Sequence, residues 1–160
     1  MKLFYFLLTL LFASNVNANS FSCNFEEVYE TGEVQNGFFL IKNSQLRYEY
    51  FDNNLYTILY VNKKLFSIDN NNRSKVNLIV DKNTLIPHIV EIYSNYPNIK
   101  DQYISDDYEI LIEKSFDKFI KRLVIKSDQL NISIFFYKCG KTVLDDKLFN
   151  FNPFKEYVFN

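Results

Sequence analysis

Apolar side chains recur along this chain mainly with period two, the spacing of extended strands whose successive side chains point to opposite faces. The stretch "GFFLIKNSQLRYEY", residues 37–50, holds two such runs on either side of a polar break. In the first run Phe38 and Leu40 share one face while Phe39 and Ile41 share the other, so both faces are apolar. Further strand-like runs are predicted at 21–29, 37–42, 46–51, 56–61, 64–69, 75–80, 108–113, 119–126, 131–137 and 147–151. Polar turns punctuate them, "DNN", "NKK", "NNN" and "SDQ", whose Asn and Asp tolerate left-handed backbone angles. Short turns between successive strands imply antiparallel neighbours and a meandering sheet.

One segment breaks the period. In "NTLIPHIVEIYSNYP", Ile86, Ile89, Val90 and Tyr93 recur at helical spacing, with Thr84 placed to cap the N-terminus and Pro87 acceptable in the first turn. Pro97 ends the helix, and residues 98–107 return the chain through a polar stretch with room for a second helical turn. An amphipathic helix inside a β chain must lay its apolar stripe on the sheet. It is too short to cover the whole sheet, yet strands 37–42, 56–61 and 119–126 are apolar on both faces, whereas a sheet with one solvated face alternates apolar with polar. Either protein covers both faces, or one face lines a cavity for something apolar.

The N-terminus reads as an address. Lys2 precedes an apolar run over 3–13, and small residues at Val16 and Ala18 mark a secretory signal peptide, 1–18, with cleavage after Ala18. The run is shorter than the roughly 20 residues of a spanning helix, and an uncleaved anchor is the alternative. Residues before Cys23 lack the Leu and small side chains of a lipid-modification site. The remainder, 19–160, has the length of a single domain. Aromatics form 18% of the 160 residues, 17 Phe and 12 Tyr, which favours strands. A net charge of −1 without a Lys/Arg cluster argues against nucleic acid as a partner. Cys23 and Cys139 in an exported chain allow either a disulfide closing a long loop or two buried thiols.

Catalytic chemistry is thinly supplied. His88, the only histidine, stands on the helix without an evident acid or nucleophile beside it. One His and two distant Cys do not make a metal set, and no glycine-rich phosphate loop is present. Asp106 with Asp107, and Asp145 with Asp146, are adjacent pairs whose side chains diverge, as turn residues do. The expectation is a protein that is not an enzyme and needs neither metal nor cofactor.

"FSCNFEEVYETGEVQNGFFLIKNSQLRYEYFDNNLYTILYVNKKLFSID" resembles the outer-membrane lipoprotein carrier family, the LolA-like periplasmic chaperones. The likeness lies in Phe25, Gly37 before the apolar strand 38–41, the "LRWEY"-like strand Leu46-Arg47-Tyr48-Glu49-Tyr50, Leu59 and Val61, then Phe66 and Asp69. The closing segment "LVIKSDQLNISIFFYKCGKTVLDDKLFNFNP" is similar as well, with Phe149, Phe151 and Pro153 in the family's "F-x-F-x-P" stretch. The resemblance implies a mainly β fold, an unclosed antiparallel β-barrel or half-barrel with an α-helical lid. It implies a monomeric periplasmic carrier that receives acylated lipoproteins from an inner-membrane ABC exporter, holds their acyl chains in an apolar cavity and yields them to an outer-membrane acceptor. Phe38, Leu40, Leu46 and Tyr48 would line that cavity, and Ile86, Ile89, Val90 and Tyr93 would form the lid. The chain departs from the family in three places. Cleavage after Ala18 leaves no room for a first helix, Lys42-Asn43-Ser44 replaces an Arg-Pro turn, and the stretch 108–118 is short. Because a fold alone does not fix function, two other readings stand beside the carrier: a half-barrel interaction or sensor module, and a binder of small apolar ligands.

Overall fold

The computed structural model describes residues 20–80, 85–116, 119–128 and 130–152. Within them lie ten strands: β1 (Ser20–Tyr29), β2 (Val34–Lys42), β3 (Gln45–Tyr50), β4 (Tyr56–Val61), β5 (Lys64–Asp69), β6 (Val76–Ile79), β7 (Gln102–Ile104), β8 (Glu109–Lys114), β9 (Ile120–Lys126) and β10 (Asn131–Lys141). One α-helix, α1 (Ile86–Asn95), separates β6 from β7, and a short 3-10 helix, η1 (Asp146–Phe149), follows β10. The strands form a single antiparallel sheet in the order β6-β5-β4-β3-β2-β1-β10-β9-β8-β7. Its outer strands β6 and β7 are not paired with each other, so the sheet is an unclosed half-barrel with a helix.

This order explains the helix. The chain starts in the middle of the sheet, meanders outward to β6, and must then reach the opposite edge to begin β7. Helix α1 carries it across the inner face, and β7 to β10 meander back until β10 pairs with β1. Leu85 occupies the N-cap without a side-chain cap bond, and Pro87 sits in the first turn; Thr84, the expected cap, lies outside the described residues, as do the signal peptide and Pro153.

Two tight turns set the register. Asn43 and Ser44 (φ 48° and 62°) join β2 to β3, and Asn62 and Lys63 (φ 51° and 60°) join β4 to β5. Positive φ at both central residues is the mark of two-residue hairpins whose twist matches that of the flanking strands. Lys42 therefore faces Gln45, Ile41 faces Leu46, Leu40 faces Arg47 and Phe39 faces Tyr48.

Two elements differ from expectation. Residues 147–151 are not a strand: Asp146–Phe149 form η1, with Asp145 accepting from the Lys147 N–H at 2.9 Å as its cap. Asn98–Asp107 hold no second helical turn; Gln102–Ile104 extend as β7 because β8 offers a free ladder edge there.

The two apolar faces of "GFFLIKNSQLRYEY" now have separate covers. On the inner face Phe39, Ile41, Leu46, Tyr48 and Tyr50 join the main core with Ile89, Val90, Ile92 and Tyr93 of α1 and the inward residues of β8 to β10. On the outer face Leu40, Leu59 and Ile68 pack beneath Leu144 and Phe149, with Phe38, Val61 and Phe66 around them.

Candidate functional site

Five of the eight expected cavity residues are buried in the inner-face core: Leu46 and Tyr48 from the sheet, and Ile89, Val90 and Tyr93 from the helix. The Tyr93 ring lies 4.6 Å from Phe39 and 5.8 Å from Phe136, and Ile86 packs half-buried at the rim. Phe38 and Leu40 are a correction. They point to the outer face, where Leu40 is buried under η1 and Phe38 packs beside it. Opposed positions in the β2–β3 hairpin pair an odd with an even number, as Phe39 with Tyr48 and Ile41 with Leu46. The residues that share a face with Leu46 and Tyr48 are thus Phe39 and Ile41. The two-residue turn at Asn43-Ser44 was the signal for this, since a shift of one position exchanges the faces of a strand.

Helix α1 is held on the sheet by apolar contact. Among the described residues no hydrogen bond or ion pair joins one of its side chains to a strand. His88 and Glu91, 3.9 Å apart, are its own surface pair, and the His88 ring meets Tyr108 edge-on. The Tyr93 hydroxyl is buried and, among the described residues, finds no hydrogen-bond partner. Burial, with the neighbouring Tyr96 adding to it, pushes that hydroxyl well above its ordinary pKa. Beside the helix a groove of about 430 Å³ opens between the two tight turns and α1, lined by Asn43, Gln45, Tyr60, Lys63, Val90 and Ser94 among others.

Away from α1 the inner face ends in a polar plug that the sequence reading did not anticipate. The buried Glu27 carboxylate accepts hydrogen bonds from Tyr48 (2.6 Å), Tyr29 (2.8 Å) and Tyr50 (2.9 Å). Phe25 stacks on Tyr48 at 3.9 Å and closes the floor beneath. Burial first, and then the Glu27 charge, push the Tyr48 and Tyr50 hydroxyls far above the usual phenol range. Glu27, Tyr29, Tyr48 and Tyr50 alternate with outward residues on β1 and β3, which a periodicity reading alone could have grouped.

The outer face carries a buried ion network. Arg47, wholly buried, pairs with Glu49 through Nε at 2.7 Å and Nη2 at 2.5 Å, and Arg73 reaches the other Glu49 oxygen at 2.6 Å. Arg47 Nη1 also donates to the Leu148 and Asn150 carbonyls at 3.2 and 3.1 Å, and Lys42 Nζ donates to the Leu144 carbonyl and pairs with Asp146 at 2.7 Å. Lys42 thus latches the C-terminal segment.

Cys23 and Cys139 form a disulfide between the neighbouring strands β1 and β10, where the ladder is irregular. Among the described residues no group of three or more His, Cys, Asp and Glu side chains could hold a metal ion, and no helix is long and apolar enough to cross a membrane. Comparison with known proteins found no family model and no curated protein that matches this chain.

Proposed function

We propose that this chain is a periplasmic carrier that takes the acyl chains of lipoproteins onto its inner face beneath α1, receiving them from an inner-membrane exporter and giving them up at the outer membrane. The observation that carries the reading is the purely apolar seat of α1. A fully buried Leu- or Ile-sized side chain is stabilised by about 2 kcal/mol, so the four buried residues of α1 contribute about 8 kcal/mol to its docking. About ten methylenes leaving water supply the same amount. An acyl chain can therefore replace the helix on Phe39, Ile41, Leu46 and Tyr48 with little net change in free energy, and among the described residues no side-chain hydrogen bond from α1 to the sheet has to be broken. The Cys23–Cys139 disulfide supports an oxidising compartment such as the periplasm.

The test is native mass spectrometry of the protein purified from periplasm, with its extractable lipid identified. Acylated protein in the complex is the expected result. A companion variant joins Ser44→Cys to Ser94→Cys, which line one groove, with a short bis-maleimide; the pinned helix should then exclude acylated cargo while the fold is kept. An empty protein that also ignores a fluorescent acyl probe would leave α1 as a permanent part of the core. The chain would then be an interaction scaffold.

A further inference from the structure

Among the described residues three tyrosines are buried in the inner-face core, Tyr48, Tyr50 and Tyr93. Tyr48 and Tyr50 donate to Glu27 at 2.6 and 2.9 Å. Tyr93 is only 5% exposed, and its hydroxyl has no hydrogen-bond partner among the described residues. Its ring packs between Phe39 and Phe136 as a third phenylalanine would. The oxygen adds nothing to that contact. A hydroxyl that leaves water for an apolar core without gaining a new bond costs free energy. Because Tyr93 belongs to the helix, this cost applies only while α1 is docked, and the hydroxyl regains water when the helix lifts.

Little besides the apolar stripe keeps α1 in order. Leu85 supplies no side-chain cap, the first turn holds no acid and the last turn no base, so neither end is matched to the helix dipole. A helix of ten residues does not persist alone in water. Its order therefore depends on docking. The strands do not share this dependence: β1 is paired with β2 and β10, β2 with β3, and Cys23 is bonded to Cys139, all without α1.

We propose that the Tyr93 hydroxyl biases α1 towards undocking, so that the helix leaves the sheet as a unit while the strands stay paired. The bias is a property of the free protein and does not rest on the carrier reading. The test is native-state amide hydrogen exchange on the parent, Tyr93→Phe and Tyr48→Phe. In the parent, residues 90–95 should exchange faster than β1 and β3, the mark of local opening. Tyr93→Phe should slow α1 exchange about tenfold, the effect of removing one unpaired buried hydroxyl. Tyr48→Phe is the same chemical change, yet it takes a donor from Glu27 and should speed exchange in β3. Exchange of α1 in step with β1 and β3 in the parent, or α1 exchange in Tyr93→Phe as fast as in the parent, would overturn the proposal. A fluorescent acyl probe separates it from the carrier reading. If α1 must lift to admit the probe, apparent affinity follows the open fraction, and Tyr93→Phe should weaken binding by the same factor of about ten. Slower exchange in a protein that ignores the probe supports the bias and overturns the carrier reading. Probe binding with α1 exchange unchanged in Tyr93→Phe does the reverse.

Discussion

Gly37 marks the tightest point of the inner face. A methyl group there would stand 2.1 Å from the Glu49 carbonyl oxygen and 2.3 Å from the Phe25 ring. The carbonyl is backbone and cannot step aside, so Gly37→Ala is expected to cost about 2 to 3 kcal/mol, measured as a shift in the urea midpoint at constant slope. The charged groups foretell the pH limits. Burial raises the Glu49 carboxyl, but hydrogen bonds and charge from Arg73 and Arg47 outweigh it and hold the group below its usual pKa. A depressed folded-state pKa stabilises the fold above the unfolded value, near 4.5. That stability should fade as pH falls through the folded value, and Glu49→Gln should flatten the acid limb of the melting curve. The tyrosines of the Glu27 plug have the opposite sign. Their raised pKa values leave them neutral and stabilising below about pH 10, and stability should fall as pH climbs beyond that, less steeply in Tyr50→Phe.

Among the elements, η1 depends most on contacts from elsewhere. It is four residues long and makes its fixing contacts through the side chains of Arg47 and Lys42, about a hundred positions earlier. Burial draws the Arg47 guanidinium below its ordinary pKa, while Glu49 opposes that and keeps the pair together. Arg47→Ala should remove a buried ionic partner at a cost of about 3 kcal/mol. It should also raise amide hydrogen exchange over residues 144–150 more than over α1. Uniform loss of protection across the sheet would instead mean that η1 is held by Leu144 and Phe149 alone. Helix α1 is the reverse case, predicted from Ile86, Ile89, Val90 and Tyr93 because its apolar stripe is local, and it lies on the sheet as that stripe requires.

At the level of the whole molecule, β1 is the keystone, paired with β2 on one side and β10 on the other. The disulfide ties β1 to β10 across 116 positions. On loop entropy alone such a link stabilises the fold by about 5 kcal/mol. The Cys23→Ala, Cys139→Ala double variant should accordingly melt well below the parent, by calorimetry. Near-equal melting would show that β-pairing already restrains the unfolded chain. With α1 crossing from one edge of the sheet to the other, any opening of the inner face has to move the one segment that connects its two halves.

Nine of the ten strands, their antiparallel order within each meander and the existence of α1 are determined by the sequence itself. Each rests on neighbours in the chain: period-two runs, polar two-residue turns and one helical stripe. Those same turns also determine that Phe39 and Ile41, not Phe38 and Leu40, share a face with Leu46 and Tyr48, although the apolar pattern of "GFFLIK" is symmetric and hides it. Tertiary structure alone decided what each face meets. Residues 147–151 have a strand's pattern, yet Asp146–Phe149 coil as η1 over the outer face of β2 to β5, where Arg47 donates to the Leu148 and Asn150 carbonyls. Glu27 becomes a buried acceptor only when β3 brings Tyr48 and Tyr50 beside it. Cys139 reaches Cys23 only when the second meander returns to the first. These contacts join positions far apart in the chain, and local propensity carries no record of partners that distant.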